Sequence, residues 1–196
     1  MIDFKKYTFE ELAHALYMKG EALGYQKITD KTGWREYVMG EKLNHKAYQK
    51  ISSGCNSDGE GSDAKCNLTG RRAEYKSKAL DDKDLNNLLQ RSYGKNGKRN
   101  YVPLKITGVY NNATKPGALE KYKAIDHYFG CFYKEKCVLI VQVNTKHVIR
   151  CLEAAVEKKK TGNSTTTNLC QAVVDLADTH LYRVAFKDHK WFKENA

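Results

Sequence analysis

Proline is nearly absent from the sequence, with two residues in 196, which excludes a Pro-rich or collagen-like chain. Leu, Ile, Val and aromatic residues recur throughout, so a disordered chain is excluded too. No apolar run approaches the roughly 20 residues of a membrane span. The opening Met1-Ile2-Asp3-Phe4-Lys5-Lys6 has neither the apolar stretch nor the small-residue cleavage site of a secretory signal. The expectation is a soluble, cytoplasmic protein with no membrane partner. The six cysteines lack the paired C-x2–4-C spacing of a zinc site: ten residues separate Cys55 from Cys66, and five separate Cys131 from Cys137. They read as reduced, mostly buried thiols. Gly94-x-x-Gly97-Lys98-Arg99 has the wrong spacing for a phosphate-cradling GxxxxGK loop, so no nucleotide cofactor is expected. Acidic residues are also in deficit, 23 against 34 Lys and Arg, a net charge of +11. That excess favours a polyanionic partner.

The hydrophobic pattern predicts one unit over residues 1–196, in which helices alternate with strands. Thr8 and Glu11 form a capping box that opens a helix to Gly24. A second helix over about Gly33 to Asn44 carries Trp34, Val38, Glu41 and His45 at i, i+4, i+7 and i+11, with Met39 and Leu43 beside them. This places Glu41 on or next to the buried side. Ala47 to Ser52 reads as a short strand, and Asp63–Leu68 with Arg72–Ser77 as a hairpin turning at Thr69-Gly70. Helix is expected over about Asp81 to Tyr93, strand over Tyr101 to Tyr110, helix over Gly117 to Phe129. Cys137 to Asn144 is the clearest central strand. The remainder reads as helix over Thr145–Lys159, helix around Leu169–Ala177 and strand over Leu181–Phe186. The fold class is α/β (α+β), a central mixed β-sheet flanked by helices.

Chemistry concentrates in Ser62-Asp63 and, after ten intervening residues, Glu74-Tyr75-Lys76. The two-residue period of a strand puts Glu74, Lys76 and Lys78 on one face, and the hairpin returns that face beside Asp63. Two carboxylates suit Mg²⁺, which takes few protein ligands and leaves its other positions to water and phosphate. An adjacent ammonium can orient or help deprotonate a water and offset charge building up on phosphorus. Asp58 or Glu60 replaces Asp63 under a shifted register. Their loop lacks the glycine and the glutamate of an EF-hand. Glu41 is an acid on an otherwise apolar stripe, where an unbalanced charge is costly.

This arrangement resembles the PD-(D/E)xK nuclease superfamily and, within it, the type II restriction endonucleases, with Ser62 in place of the usual proline. The resemblance extends to order: acid-bearing helix, metal hairpin, helix, core strand, within about residues 33–144. It implies a restriction-endonuclease-like core and Mg²⁺-dependent hydrolysis of double-stranded DNA at a short specific sequence, leaving 5′-phosphate and 3′-hydroxyl ends. By the same resemblance Asp63 and Glu74 are metal ligands, Lys76 the catalytic lysine and Glu41 an auxiliary acid. Cutting both strands of a palindrome implies a homodimer. The alternatives are a structure-specific or repair nuclease of the same fold, or a non-catalytic basic nucleic-acid-binding module. The absence of H-x-x-x-H and H-N-H patterns disfavours a ββα-metal nuclease, and His45 and His127 read as structural or DNA-facing. From Arg71 to Lys105 there are ten basic and four acidic residues, +6 of the +11. Arg71, Arg72, Lys95, Lys98 and Arg99 are the candidate phosphate contacts. Asn111, Asn112 and Lys115 either reach base edges or form a plain turn before a helix. Lys158–Lys160 reads as a solvated helix C-terminus.

Overall fold

The computed structural model describes residues 31–48, 50–52, 55–56, 62–89, 103–134, 136–161 and 169–195, with positions 6, 7, 15, 16, 19 and 22 before them. The capping box at Thr8 and Glu11, the turn-rich loop bearing Asp58 and Glu60, and the basic loop bearing Lys95, Lys98 and Arg99 lie outside the described residues. The elements are α1 (Lys31–Leu43), β1 (His45–Ala47), β2 (Lys50–Ser52), β3 (Cys55–Asn56), β4 (Ala64–Cys66), β5 (Arg72–Leu80), α2 (Asp82–Leu88) and β6 (Lys105–Tyr110). They continue with α3 (Ala118–Lys123), β7 (Asp126–Tyr133), β8 (Lys136–Val143), α4 (Thr145–Lys160), β9 (Cys170–Asp175), a 3₁₀ turn (Thr179–Leu181), β10 (Tyr182–Lys187) and α5 (His189–Asn195).

Six strands form a mixed sheet in the order β1-β4-β5-β7-β8-β10, and β6 and β9 pair separately. Within the six-stranded sheet β5 and β7 run parallel, Glu74 opposite His127 and Lys76 opposite Phe129, and the other pairs are antiparallel. Val138, Ile140 and Val141 are fully buried, as expected of a strand with β7 on one side and β10 on the other. One face of the sheet packs Ala73, Tyr75, Tyr128, Phe132 and Ile140 against Met39 of α1. The other packs Phe129, Val138, Val141 and Val143 against Val148 and Leu152 of α4 and Ile106, Tyr110, Ala172 and Val174 of the β6–β9 pair.

Two segments expected as helix are strand. The helix expected to run to Phe129 ends at Lys123, and Asp126–Tyr133 is β7. Tyr128-Phe129 and Phe132-Tyr133 are good strand formers, and the strand is buried on both faces from His127 to Phe132. The segment around Leu169–Ala177 is β9, whose inward Cys170, Ala172 and Val174 alternate with outward Gln171 and Val173, a period of two. The segment Ala47–Ser52 divides between β1 and β2. Asp81 caps α2, its side chain accepting from the Asp84 amide at 2.7 Å. Five cysteines, Cys66, Cys131, Cys137, Cys151 and Cys170, are free.

Candidate active site

Asp63 is held from both sides by main chain. Its amide donates to the Ala73 carbonyl at 3.0 Å, and its carbonyl accepts from the Tyr48 amide at 2.8 Å. The carboxylate is thereby turned toward β5, where Oδ2 accepts from the Tyr75 amide at 2.7 Å. Asp63 and Glu74 are both buried. The Lys76 ammonium donates to Glu74 Oε1 at 2.7 Å and sits 4.7 Å from the centre of the Tyr110 ring, a cation–π distance. The β6 strand crosses the Lys76 side chain at Gly108: a Cβ there would lie 2.8 Å from Lys76 Cγ and 2.6 Å from Phe129 Cζ. Glycine is what lets the two strands approach so closely.

The electrostatics of this cluster are those of too many acids in too little water. Burial, then Glu74, then Glu36 push the Asp63 carboxyl well above the usual carboxylate range, against Lys76 and the Tyr75 amide. Burial acts to lower the Lys76 pKa, but Glu74 and Asp63 outweigh it and the net shift is upward. Glu74 Oε2 is buried, and among the described residues nothing hydrogen-bonds to it. An orphaned carboxylate oxygen next to a carboxyl that resists ionisation leaves a place for an added cation. Among the described residues no group of three or more His, Cys, Asp and Glu side chains gathers as a metal site. A cation placed there would meet the two carboxylates of Asp63 and Glu74, a set suited to an ion such as Mg²⁺ that keeps most of its shell as water and phosphate.

No family model matches the chain, and no curated protein matches it.

The structure brings Asp63, Glu74 and Lys76 together and leaves Glu41 out. Glu41 is exposed, its Oε1 accepting from the Tyr37 hydroxyl at 2.7 Å. The acid that α1 turns inward is Glu36, buried and near enough to raise Asp63. The buried stripe of α1 is Arg35, Glu36 and Met39, so it runs about two positions away from the one through Glu41. Arg35 lies over the Phe132 ring at 5.4 Å. The i, i+3 spacing of Glu36 and Met39 was the available signal, masked by two adjacent charges on the inward face.

The proposed phosphate contacts fare unevenly. Arg71 makes a two-pronged pair with Asp126, Nε to Oδ2 at 3.0 Å and Nη2 to Oδ1 at 2.8 Å, so its charge is largely compensated. Arg72 is half-buried in β5. Lys78 pairs with Asp84 at 3.0 Å and Lys105 with Asp175 at 3.7 Å. Asn111, Asn112 and Lys115 are exposed on a turn closed by the Lys115 amide donating to the Asn112 carbonyl at 2.9 Å, with Asn112 at φ 58°. The turn follows Tyr110 directly, which sets it beside the Lys76 end of the site.

His127 is fully buried. Nε2 contacts the Tyr122 carbonyl at 2.9 Å, which can only accept, so Nε2 carries the proton. Nδ1 then accepts from the Tyr110 hydroxyl at 3.0 Å. With both nitrogens engaged His127 is structural, and it braces the ring beneath Lys76. His45 is tied to the Tyr75 hydroxyl through Nδ1 at 2.8 Å. Sequence patterns carried no signal for Tyr110 or for this network.

Proposed function

We propose that the chain is a Mg²⁺-dependent DNA endonuclease of restriction type, acting as a homodimer on a short double-stranded site. The observation that carries the reading is the buried Glu74 Oε2, to which nothing among the described residues hydrogen-bonds, beside Asp63 and Lys76 on the β4–β5 hairpin. The order of elements also supports it: acid-bearing α1, the hairpin, α2 and then the core strands are the succession that the PD-(D/E)xK resemblance implies. A restriction-endonuclease-like core accounts for this order and for the mixed sheet.

Asp63 and Glu74 would hold the metal, with water and phosphate oxygens completing its shell. When bound, Mg²⁺ supplies Lewis acidity to the phosphate and acidifies an attacking water. The chain's own residues set the rest. Tyr75's amide fixes the orientation of Asp63, and Glu74 and Tyr110 fix the Lys76 ammonium. Because its pKa is raised, Lys76 keeps its proton at neutral pH. It orients water and offsets charge on the scissile phosphate as a cation; it is not the base that takes the proton.

Incubating plasmid with the protein and Mg²⁺ tests this. Discrete fragments are expected from the wild type, with loss of about 10²-fold or more in rate for Lys76→Ala and Glu74→Ala. Binding without metal-dependent cutting would leave a basic nucleic-acid-binding module. Cutting confined to branched or damaged DNA would favour a repair nuclease.

A further inference from the structure

The face of the sheet that carries Glu74 and Lys76 also carries a row of cations. On β5, Ala73 and Tyr75 pack with Met39 of α1, so the alternate residues Arg72, Glu74 and Lys76 share the opposite face. Lys65 of β4 stands directly opposite Arg72, and Lys46 of β1 directly opposite Lys65. Directly opposed residues project from one face of a sheet, and the neighbours of Lys46 agree. His45 stacks on Tyr75, and a Cβ on Gly40 of α1 would lie 3.2 Å from that of Ala47. Both flanking side chains therefore face α1, which turns Lys46 the other way. Three positive side chains line up across three strands, and Arg72 is two residues, about 7 Å along the strand, from Glu74.

Like charges directly opposite each other in a sheet repel. At Lys46 and Lys65 nothing offsets this: both are exposed, and neither forms an ion pair among the described residues. β1 is an edge strand of the six-stranded sheet, so the row opens at the sheet's margin, where an extended polyanion can reach it. A phosphate brought to Asp63 and Glu74 meets two carboxylates, and cations on the same face counter that repulsion. We propose that Lys46, Lys65 and Arg72 form the track on which the DNA backbone lies as it reaches the site, holding phosphates next to the one presented to Asp63 and Glu74. The proposal rests on the nuclease reading for the identity of the polyanion. The row spans two strand spacings, about 10 Å. Each DNA strand carries one phosphate per about 3.4 Å of helix axis, so neighbouring phosphates of one strand fall within its length.

Two measurements of opposite sign test this. The first is the salt dependence of binding to a labelled duplex in EDTA, where no cutting takes place. Each neutralised phosphate contributes about 0.9 to the slope of log K against log salt. The double variant Lys46→Gln, Lys65→Gln is expected to lower the slope by about 1.8, and Lys46→Arg, Lys65→Arg to keep it. Lys190→Gln, on α5, is expected to leave it unchanged. The second is thermal denaturation of the free protein. Removing opposed like charges is expected to raise the Tm of the double Gln variant at low salt, a gain that shrinks as salt screens the row. A double Gln slope equal to wild type overturns the proposal. A double Gln Tm below wild type at low salt overturns the like-charge argument beneath it. The two readings fail separately. Wild-type protein that cuts plasmid with the slope unmoved in the variant defeats the track alone. A lowered slope in a protein that never cuts in Mg²⁺ defeats the nuclease and leaves the row as a DNA-binding surface.

Discussion

A carboxyl whose pKa is raised by burial and by neighbouring acids, as that of Asp63 is, holds its proton more tightly folded than unfolded. Its stabilising effect is complete below the ordinary value of 3.8 and is lost as pH rises through the folded value. At neutral pH Asp63 therefore weighs against the fold, a common signature of a residue kept for chemistry. Asp63→Asn retains an oxygen for the Tyr75 amide and removes the charge. It is expected to stabilise the protein at pH 7 by about 1–2 kcal/mol, and each kcal/mol moves Tm by about 2–4 °C in a chain of this size. Mg²⁺ is expected to raise the wild-type Tm and leave the Asp63→Asn Tm unmoved, both read by thermal denaturation. A variant less stable than wild type at pH 7 would contradict the account. The same residues show how far the sequence was readable. Asp63, Glu74 and Lys76 were found because a strand's period and a short hairpin dictate their meeting. Glu36 was missed for Glu41 because helical phase was set by Trp34 and Val38, when Met39 was the residue that entered the core.

The elements that carry the site are held by two close approaches. At Gly108, β6 crosses the Lys76 stem and the Phe129 ring; at Gly130, α1 meets β7, where a Cβ would lie 2.7 Å from Met39 Sδ. The neighbours differ in compliance. Phe129 is a fully buried ring with few ways to move, whereas a thioether can turn aside. Gly108→Ala is expected to cost about 1–3 kcal/mol and to slow plasmid cutting, because Lys76 is displaced from Glu74. Gly130→Ala is expected to cost less and to leave cutting near wild type. Chemical denaturation and plasmid assays on both variants check the ranking, and the reverse order would refute it. The elements themselves were legible in proportion to how plainly burial was written in them. Cys137–Val141 is a continuous apolar run and was read as the central strand. β7 was read as helix because Gly117–Lys123 begins one and no glycine or proline interrupts the chain before Gly130. β9 was read as helix because six residues alternate too briefly to outweigh a nearby helical pattern, and its partner β6 lies some 65 residues away.

Across the whole molecule, one sheet joins groups whose titrations oppose each other. Glu74 stands opposite His127 on the neighbouring strand, and burial lowers the pKa of His127 despite the Tyr122 carbonyl and Glu74. Burial likewise lowers His45, against Asp126. A histidine depressed on folding stabilises fully above its ordinary value of 6.5, and that contribution is lost as pH falls through the folded value. Acidification from pH 7.5 to 5 therefore removes stability through His127 and His45 while Asp63, gaining a proton, returns some. In wild type the two changes have opposite signs. Asp63→Asn lacks the returning contribution, so its Tm is expected to fall more steeply over this range. The stability gap between the variant and wild type narrows accordingly, at no more than about 1.4 kcal/mol per pH unit for a single proton. Denaturant unfolding of both proteins at pH 7.5, 6.5 and 5.5, without Mg²⁺, measures the gap. Parallel curves would mean that Asp63 titrates alike in the folded and unfolded chain, and the electrostatic case for a cation between Asp63 and Glu74 would fall with it.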